Sequence, residues 1–525
     1  MNTKAKYFLY GCICLCLITI TITLFSISQA VDWDPGTVIK MADNAHKGIP
    51  FNHYAHPNPK NLSTDEFEVV TWWSPGQFTF PMLIQKAIGV KITVAIKVLT
   101  AICLLLSALG IFKLFGLLLK RNDGTNKAST AAVVLLLFTL LQPFFWGNIF
   151  IYNGGGILLL AYCPWFIYWL IQVKRITFYN LLLLLVAGFF GFFLKSAFTS
   201  IFAGGLLYLF LTKAITTGTP LKQQNIKNIL VNALILGGLF IAYVVIIKAL
   251  YLSHNTGISE SSTGIRVQPR VLLYPVVAPV LGIFWLNFIN KTIYWVIALI
   301  IVIPVYYMML KSDRIGLTYK YVLISFVTTT IAFYGLIYFI NVDVSYELRH
   351  FIIISILLTP GLLIGLYHLK WGRYFIYGAA FLYTAINIYH FAQYTATSPK
   401  SSNNLLYSGL NSAYPPEIIE RIHALDNLKG HKKDIFYFKS FELTIALEVR
   451  NNRVLLEDNF INFHFNNKAR YDSTLYFGRN TGDVYVVYPL QKFKKDSVTF
   501  LTRFEKYKQF QKIYQAKGYA IFKAH

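Results

Sequence analysis

Two carboxylates follow the first apolar run of the chain, in Val31-Asp32-Trp33-Asp34-Pro35-Gly36. A carboxylate can accept a proton, ligate a metal or cap a helix. Proline is a favoured first helical residue, so Asp34 is expected at the N-cap of a helix that runs on through Thr37-Val38-Ile39-Lys40-Met41-Ala42. Val38, Met41, Ala42 and Ala45 share one side of that helix, which is expected to lie in the membrane interface. Capping accounts for Asp34 and leaves Asp32 unexplained. The cations worth naming are Lys195, in the apolar stretch Gly191-Phe192-Phe193-Leu194-Lys195-Ser196-Ala197-Phe198, and the pair Arg349-His350, just after Glu347. A lysine in such surroundings needs a partner or water; a phosphate would serve, and so would snorkelling at a helix end. Arg349 is open to the same two readings, with Glu347 as a possible ion-pair partner. Arg266 and Arg270 are weaker candidates of the same kind. His46, His53 and His56, with Asp43, are types that ligate divalent metals, but their spacing fits no strict ligand motif and no metal ligand is assigned.

These residues must be held by a membrane scaffold. The 525 residues are 55% hydrophobic and 14% charged, with a mean hydropathy of +0.51, far more apolar than a soluble globular chain. The formal charge of +25 fits basic loops kept in the cytosol beside membrane spans, and with no basic stripe or aromatic platform in a soluble segment no nucleic-acid partner is expected. All five cysteines lie in apolar runs, without a Cys-x-x-Cys pair, and read as packing residues.

Apolar runs of spanning length predict about eleven transmembrane helices. The first, Tyr7 to Ile27, is read as an uncleaved helix; the rest cover Ile88–Leu119, Ala128–Trp146, Gly154–Ile171, Phe178–Leu194, Ala197–Leu211, Ile229–Leu252, Ile293–Leu310, Tyr321–Ile340, Phe351–Leu369 and Tyr374–Phe391. Basic connections at Lys120-Arg121, Lys174-Arg175, 222–227, 311–320 and 370–373 fall on one side only if Val271–Phe288, broken by Pro275 and Pro279, does not cross. The amino terminus is then cytoplasmic. The predicted division is a membrane module, 1–394, with outer loops at 31–86 and 253–290, and an extracytoplasmic α/β domain, 395–525. In the latter, Pro415-Pro416 opens a helix to Leu428, and a second helix is read over Phe441–Glu448 and a third near Ser497–Phe510. Strands are read at Asp434–Phe438, Arg453–Glu457, Asp483–Tyr488 and Tyr519–Lys523. From Lys400 on there are 20 Lys and Arg against 12 Asp and Glu, a net basic surface suited to anionic lipid or glycan.

The combination of a first span, an outer acidic residue opening an interfacial helix, a proline turn (Trp73-Ser74-Pro75-Gly76-Gln77) before the second span, many further spans and an exported carboxy-terminal domain resembles the GT-C superfamily of membrane glycosyltransferases. Protein O-mannosyltransferases and lipid A aminoarabinose transferases belong to it. Asp34 matches the early-loop acidic residue of that family best, with Asp32 as runner-up. Two positions depart from the pattern: Ser74 stands where the family's turn often has a cation, and Asn153, in Ile151-Tyr152-Asn153-Gly154-Gly155-Gly156, stands where a second acidic residue is expected.

The resemblance implies transfer of a sugar from a polyprenyl-phosphate donor to a glycan, lipid or protein acceptor outside the cytosol, with inversion at the sugar carbon. Asp34 would be the general base, with Asp32 a helper or metal ligand, and Arg349, His350 and Lys195 would stabilise the departing phosphate. A divalent metal is possible and not favoured. The expected surroundings are membrane lipids of a bacterial inner membrane. A transporter or lipid flippase is the alternative, although the spans offer few charges along a midplane path; a non-catalytic anchor for the exported domain is another.

Overall fold

The computed structural model describes residues 3–524 apart from 120–126, 216–225, 255–263, 286–291, 368–371, 400–405, 429–431, 439–442, 457–480, 492–506 and the single positions 32, 47, 51, 72, 343, 411, 413 and 508. The membrane part opens with α1 (Thr3–Ser26), whose end is capped by the buried Lys97, its ammonium donating to the Ile27 carbonyl at 2.6 Å. Strand β1 (Ala30–Val31) leads into α2 (Trp33–His46), and the hairpin β2 (His53–Asn58) and β3 (Asn61–Val69) precedes α3 (Gly76–Ile88). Gly89, left-handed at φ 64°, closes α3 by donating its amide to the Gln85 carbonyl. Then come α4 (Ile92–Leu118), α5 (Lys127–Leu140), α6 (Pro143–Trp146), β4 (Ile151–Tyr152) and α7 (Gly155–Gln172). The chain continues through α8 (Phe178–Leu194), α9 (Phe198–Leu209), α10 (Ile226–Leu250), α11 (Pro269–Ile283), α12 (Thr292–Lys311), α13 (Leu317–Phe339), α14 (Ile352–Tyr367) and α15 (Gly372–Thr397).

Among the described residues six helices are long and apolar enough to cross a bilayer; a seventh follows if α5 and the Pro143–Ile149 segment, bent by 62°, form one broken span. Pro143, which cannot donate a backbone hydrogen bond, sits at that bend. Four shorter apolar helices accompany them: Phe178–Leu194, Phe198–Lys213, Pro269–Ile283 and Val296–Lys311. Leu230, Leu234, Ile241 and Val245 on α10 face outward, an apolar surface that suits lipid and not water. The chain is a multi-pass membrane protein.

Three expectations change at this level. Helix α2 begins at Trp33, so Asp34 lies inside its first turn and not at the N-cap; Pro35 is tolerated there because the amides of a first turn have no intrahelical acceptor. Nor does α2 simply lie on the lipid: Ile39 joins the main core, Met41 and Ala42 pack with Tyr54, Val70, Trp73 and Phe78, and Lys40 is buried. Finally, Pro275 and Pro279 do not break their segment. Helix α11 runs through both, and the hydroxyls of Ser355 and Tyr306 donate to the Pro279 and Val276 carbonyls at 2.7 and 3.2 Å.

Among the described residues the carboxy-terminal region contains α16 (Pro416–Asp426), a 3-10 turn (Leu443–Glu448) and five strands: β5 (Ile435–Phe438), β6 (Arg453–Leu456), β7 (Val484–Pro489), β8 (Phe510–Ala516) and β9 (Tyr519–Ala524). The order is β6-β5-β7-β9-β8, with β6, β5 and β7 parallel, β9 antiparallel to β7 and β8 antiparallel to β9. Alternation splits the sheet cleanly. Phe436, Phe438, Tyr485 and Val487 meet Ile418, Ile422 and Leu425 of α16. Ile435, Tyr437, Val484, Val486 and Tyr488 pack around Leu62, at the tip of the β2–β3 hairpin, so the first outer loop completes the core of the distant sheet. The helix read near Ser497–Phe510 lies largely outside the described residues, and Phe510 itself opens β8, a strand whose mixed pattern hides it in the sequence.

Candidate active site

Four turns bring the site together. Strand β1 pairs in parallel with β4, Val31 opposite Tyr152, so the chain enters Asp32 and α2 beside the Asn153-Gly154-Gly155 turn that opens α7. Asp32 lies outside the described residues; Asp34 is placed by its backbone in the first turn of α2. The proline turn at the start of α3 reaches the same place, since the Gln77 side-chain carbonyl accepts the Gly155 amide at 3.1 Å. Gly76 lies tight against Phe193: a Cβ there would fall 2.7 Å from the Phe193 carbonyl oxygen.

Lys195 stands in the short connection from α8 to α9, its own carbonyl accepting the Phe198 amide at 2.9 Å. The lysine stem packs on the α7 turn. A Cβ on Gly155 would lie 3.0 Å from Lys195 Cβ and Cδ and from Gln77 Cδ, so glycine is what allows these three segments to touch. Gly154 takes the left-handed region at φ 51°, which lets the turn reverse immediately before the helix.

The fourth segment is the 3-10 turn Leu348–Phe351 that leads into α14. The Arg349 guanidinium pairs with the Glu347 carboxylate through Nε, with a second contact from Nη2 at 3.4 Å, and Nη1 reaches Asn153 Oδ1 at 3.5 Å. The charges of Lys195 and Arg349 both act on His350, whose ring also lies against Tyr334 at 5.5 Å. Lys195 and Arg349 therefore form a cationic pair whose charges meet at the buried His350 ring, with Glu347 as counter-charge and Asn153 and Gln77 as a neutral polar wall. Of the two readings of Arg349, the structure shows the ion pair with Glu347.

Several buried polar atoms of these turns have no hydrogen-bond partner among the described residues: Ser74 Oγ, Tyr152 Oη and His350 Nε2. Buried polar groups are nearly always satisfied, so a concentration of them marks a place where a polar ligand belongs. Above the cluster, Arg270 lies 4.2 Å from the centre of the Tyr346 ring, whose other face stacks on Tyr338 at 4.3 Å. The strap before α11 is tied down by the Arg266 amide, which donates to the Phe339 carbonyl at 2.8 Å.

Sequence reasoning placed Lys195 in one turn and the Arg349-His350 pair in another, and the fold brings the two turns together. It missed Gln77 as the link between turns. The signal was present, because a side-chain amide directly after Pro75-Gly76 is suited to bond the backbone of a neighbouring turn. In the first loop, His56 is buried beside Glu68, its Nε2 3.5 Å from Oε1, and its Nδ1 lies 3.0 Å from the Pro57 carbonyl oxygen. Among the described residues no group of three or more His, Cys, Asp or Glu is arranged to hold a metal ion.

No family model matches the sequence, and no curated protein matches it. Two solved structures share its fold over nearly the whole chain: ArnT from Cupriavidus metallidurans bound to undecaprenyl phosphate, with TM-score 0.50 and 10% identity over 99% of this chain and 98% of that one, and the same protein in the apo state, with TM-score 0.51, 11% identity and the same coverage. ArnT is a lipid A aminoarabinose transferase of the GT-C superfamily. The membrane helices and the carboxy-terminal sheet of this chain together make an ArnT-like fold.

Proposed function

We propose that this protein is a membrane glycosyltransferase that takes a sugar from a polyprenyl-phosphate donor and transfers it to a glycan, lipid or protein acceptor on the extracytoplasmic face. The observation that carries this reading is the convergence of Lys195, Arg349 and His350 beside the turn that α2, bearing Asp34, enters. The fold shared with a protein whose structure holds undecaprenyl phosphate agrees with it.

In this mechanism the acceptor hydroxyl oxygen attacks the anomeric carbon as the carbon–oxygen bond to the phosphate breaks. The Asp34 carboxylate accepts the hydroxyl proton, and the configuration inverts. The polyprenyl phosphate leaves with its bonding pair, and the Lys195 and Arg349 charges stabilise the anion as it develops. Glu347 orients Arg349 through its paired contacts. Asp32 is the secondary candidate, an aid to Asp34. The protein lies in the bacterial inner membrane with a cytoplasmic amino terminus, and the carboxy-terminal domain is exported.

The test is sugar transfer by purified protein from radiolabelled polyprenyl-phosphate sugars. Asp34→Asn should lower transfer about 100-fold or more, the usual reach of a general base, while expression and membrane insertion persist. Undiminished transfer in that variant would remove Asp34 as the base, and no transfer by the wild type from any such donor would remove the class.

A further inference from the structure

Helix α2 carries the proposed base in its first turn, yet its far half is gripped by the carboxy-terminal region. Lys40 lies six residues beyond Asp34, about 9 Å along the helix at 1.5 Å per residue. It is only 8% exposed, and its ammonium donates to the Ala446 carbonyl at 2.9 Å and pairs with Asp43 on the next turn at 3.4 Å. A lysine is rarely buried so far unless its charge is answered, and here one answer comes from the 3-10 turn Leu443–Glu448 of the exported region.

That turn is itself fixed. Glu448, at its end, is 1% exposed and accepts hydrogen bonds from the Tyr407 amide at 2.8 Å, the Ser408 amide at 3.1 Å and the Ser408 hydroxyl at 2.7 Å, with His423 Nε2 at 2.9 Å. The loop so gathered is stitched back to the membrane part: Leu406 accepts from Lys91 at 3.1 Å, Ser408 accepts from the Thr93 amide at 3.3 Å, and Ser28 donates to Pro399 at 2.7 Å, just before β1. The platform under Lys40 is thus tied both to the start of α4 and to the strand that delivers Asp32 and Asp34.

From this we infer that Lys40 is a positioning residue, through which the carboxy-terminal domain sets the orientation of α2, the helix whose first turn carries Asp34, beside the turns that hold Lys195 and Arg349. The inference rests on the proposed role of Asp34. It gives the exported domain a part in the reaction without any contact to substrate. Its consequence is that loss of the Lys40 bond should harm turnover and leave donor binding intact, because Lys195, Arg349 and His350 stand on other elements.

Full-length protein in lipid nanodiscs carrying Lys40→Met, with Lys40→Arg as the conservative control, tests it by two readouts. Amide hydrogen exchange over 36–46 should rise about fivefold or more in Lys40→Met and stay at the wild-type level over 92–118. In parallel, kcat should fall about tenfold with KM for the polyprenyl-phosphate sugar unchanged, the size of effect expected when a base is slightly misplaced, and Lys40→Arg should restore both. Unchanged exchange over α2 overturns the inference, as does a variant in which kcat, KM and the melting temperature all deteriorate together. If the wild type transfers no sugar, the proposed function fails separately, and the exchange comparison alone still decides whether Lys40 orients α2.

Discussion

Arg349 joins three features that single residues seldom combine: an ion pair with Glu347, a contact to Asn153 and closeness to the His350 ring, on which the Lys195 charge also acts. Removing it should weaken donor binding by the worth of a charge-assisted hydrogen bond, about 1.5–3 kcal/mol, or roughly 10–100-fold. Arg349→Ala should therefore raise KM for the donor, or the dissociation constant of polyprenyl phosphate measured directly, by that factor. Gly155→Ala is a sharper probe, because the added methyl group meets Lys195 and Gln77 at 3.0 Å and one of the two must move. Overpacking of this kind costs about 1–3 kcal/mol. The expected result is a lower melting temperature together with weaker phosphate binding. If only stability falls, the packing of Gly155 against Lys195 does not set the lysine's position. None of these contacts was written in the sequence around each residue. Lys195 was identifiable as a charge in apolar surroundings, but which partner it finds depends on three other turns.

The β2–β3 hairpin belongs to the first outer loop by sequence and to the carboxy-terminal sheet by packing. Leu62 fills the sheet's second face, and Arg453, at the start of β6, grips Asp65 with Nε at 2.5 Å and Nη2 at 3.2 Å. The Arg453 side chain is 9% exposed, so losing its anionic partner leaves a mostly buried charge. Asp65→Asn should cost about 1–3 kcal/mol and free the hairpin, seen as faster proteolysis within 53–69. Equal proteolysis rates would show that Leu62 alone secures the hairpin. The helices of the membrane part were legible because their apolar runs are local, whereas α11 was misjudged. Proline removes a backbone donor, yet α11 stays continuous through both prolines where it packs on neighbouring helices, whose Ser355 and Tyr306 hydroxyls donate to its Pro279 and Val276 carbonyls. Strand β8 was missed for the opposite reason: it is half exposed and polar on one side, so its hydrophobic pattern is weak.

The membrane part and the carboxy-terminal sheet are joined through α2, the hairpin and the loop around Ser408, and this joint carries a pH dependence. Burial raises the Glu448 carboxyl, but the bonds from His423, Ser408 and the Tyr407 and Ser408 amides outweigh it and hold the group below the ordinary glutamate range. A carboxylate depressed in the folded state adds stability that is present above its unfolded pKa and is lost as pH falls through the lower folded value. The joint should therefore loosen in the acid range below the ordinary glutamate pKa. Glu448→Gln should flatten that part of a melting-temperature profile and lower the melting temperature at neutral pH. A profile with the same acid slope in both proteins would assign it to other groups. The sequence by itself determined the class of molecule, most of its helices and the α/β character of the carboxy-terminal region, because hydropathy and short-range periodicity are properties of neighbouring residues. Only the tertiary structure decided that Gln77, Asn153, Lys195 and Arg349 share one place and that α2 is held between membrane helices and the carboxy-terminal sheet. Close approach of distant turns depends on glycines with no side chain in the way and on cores built from both regions, and such complementarity appears only when the chain has folded back on itself.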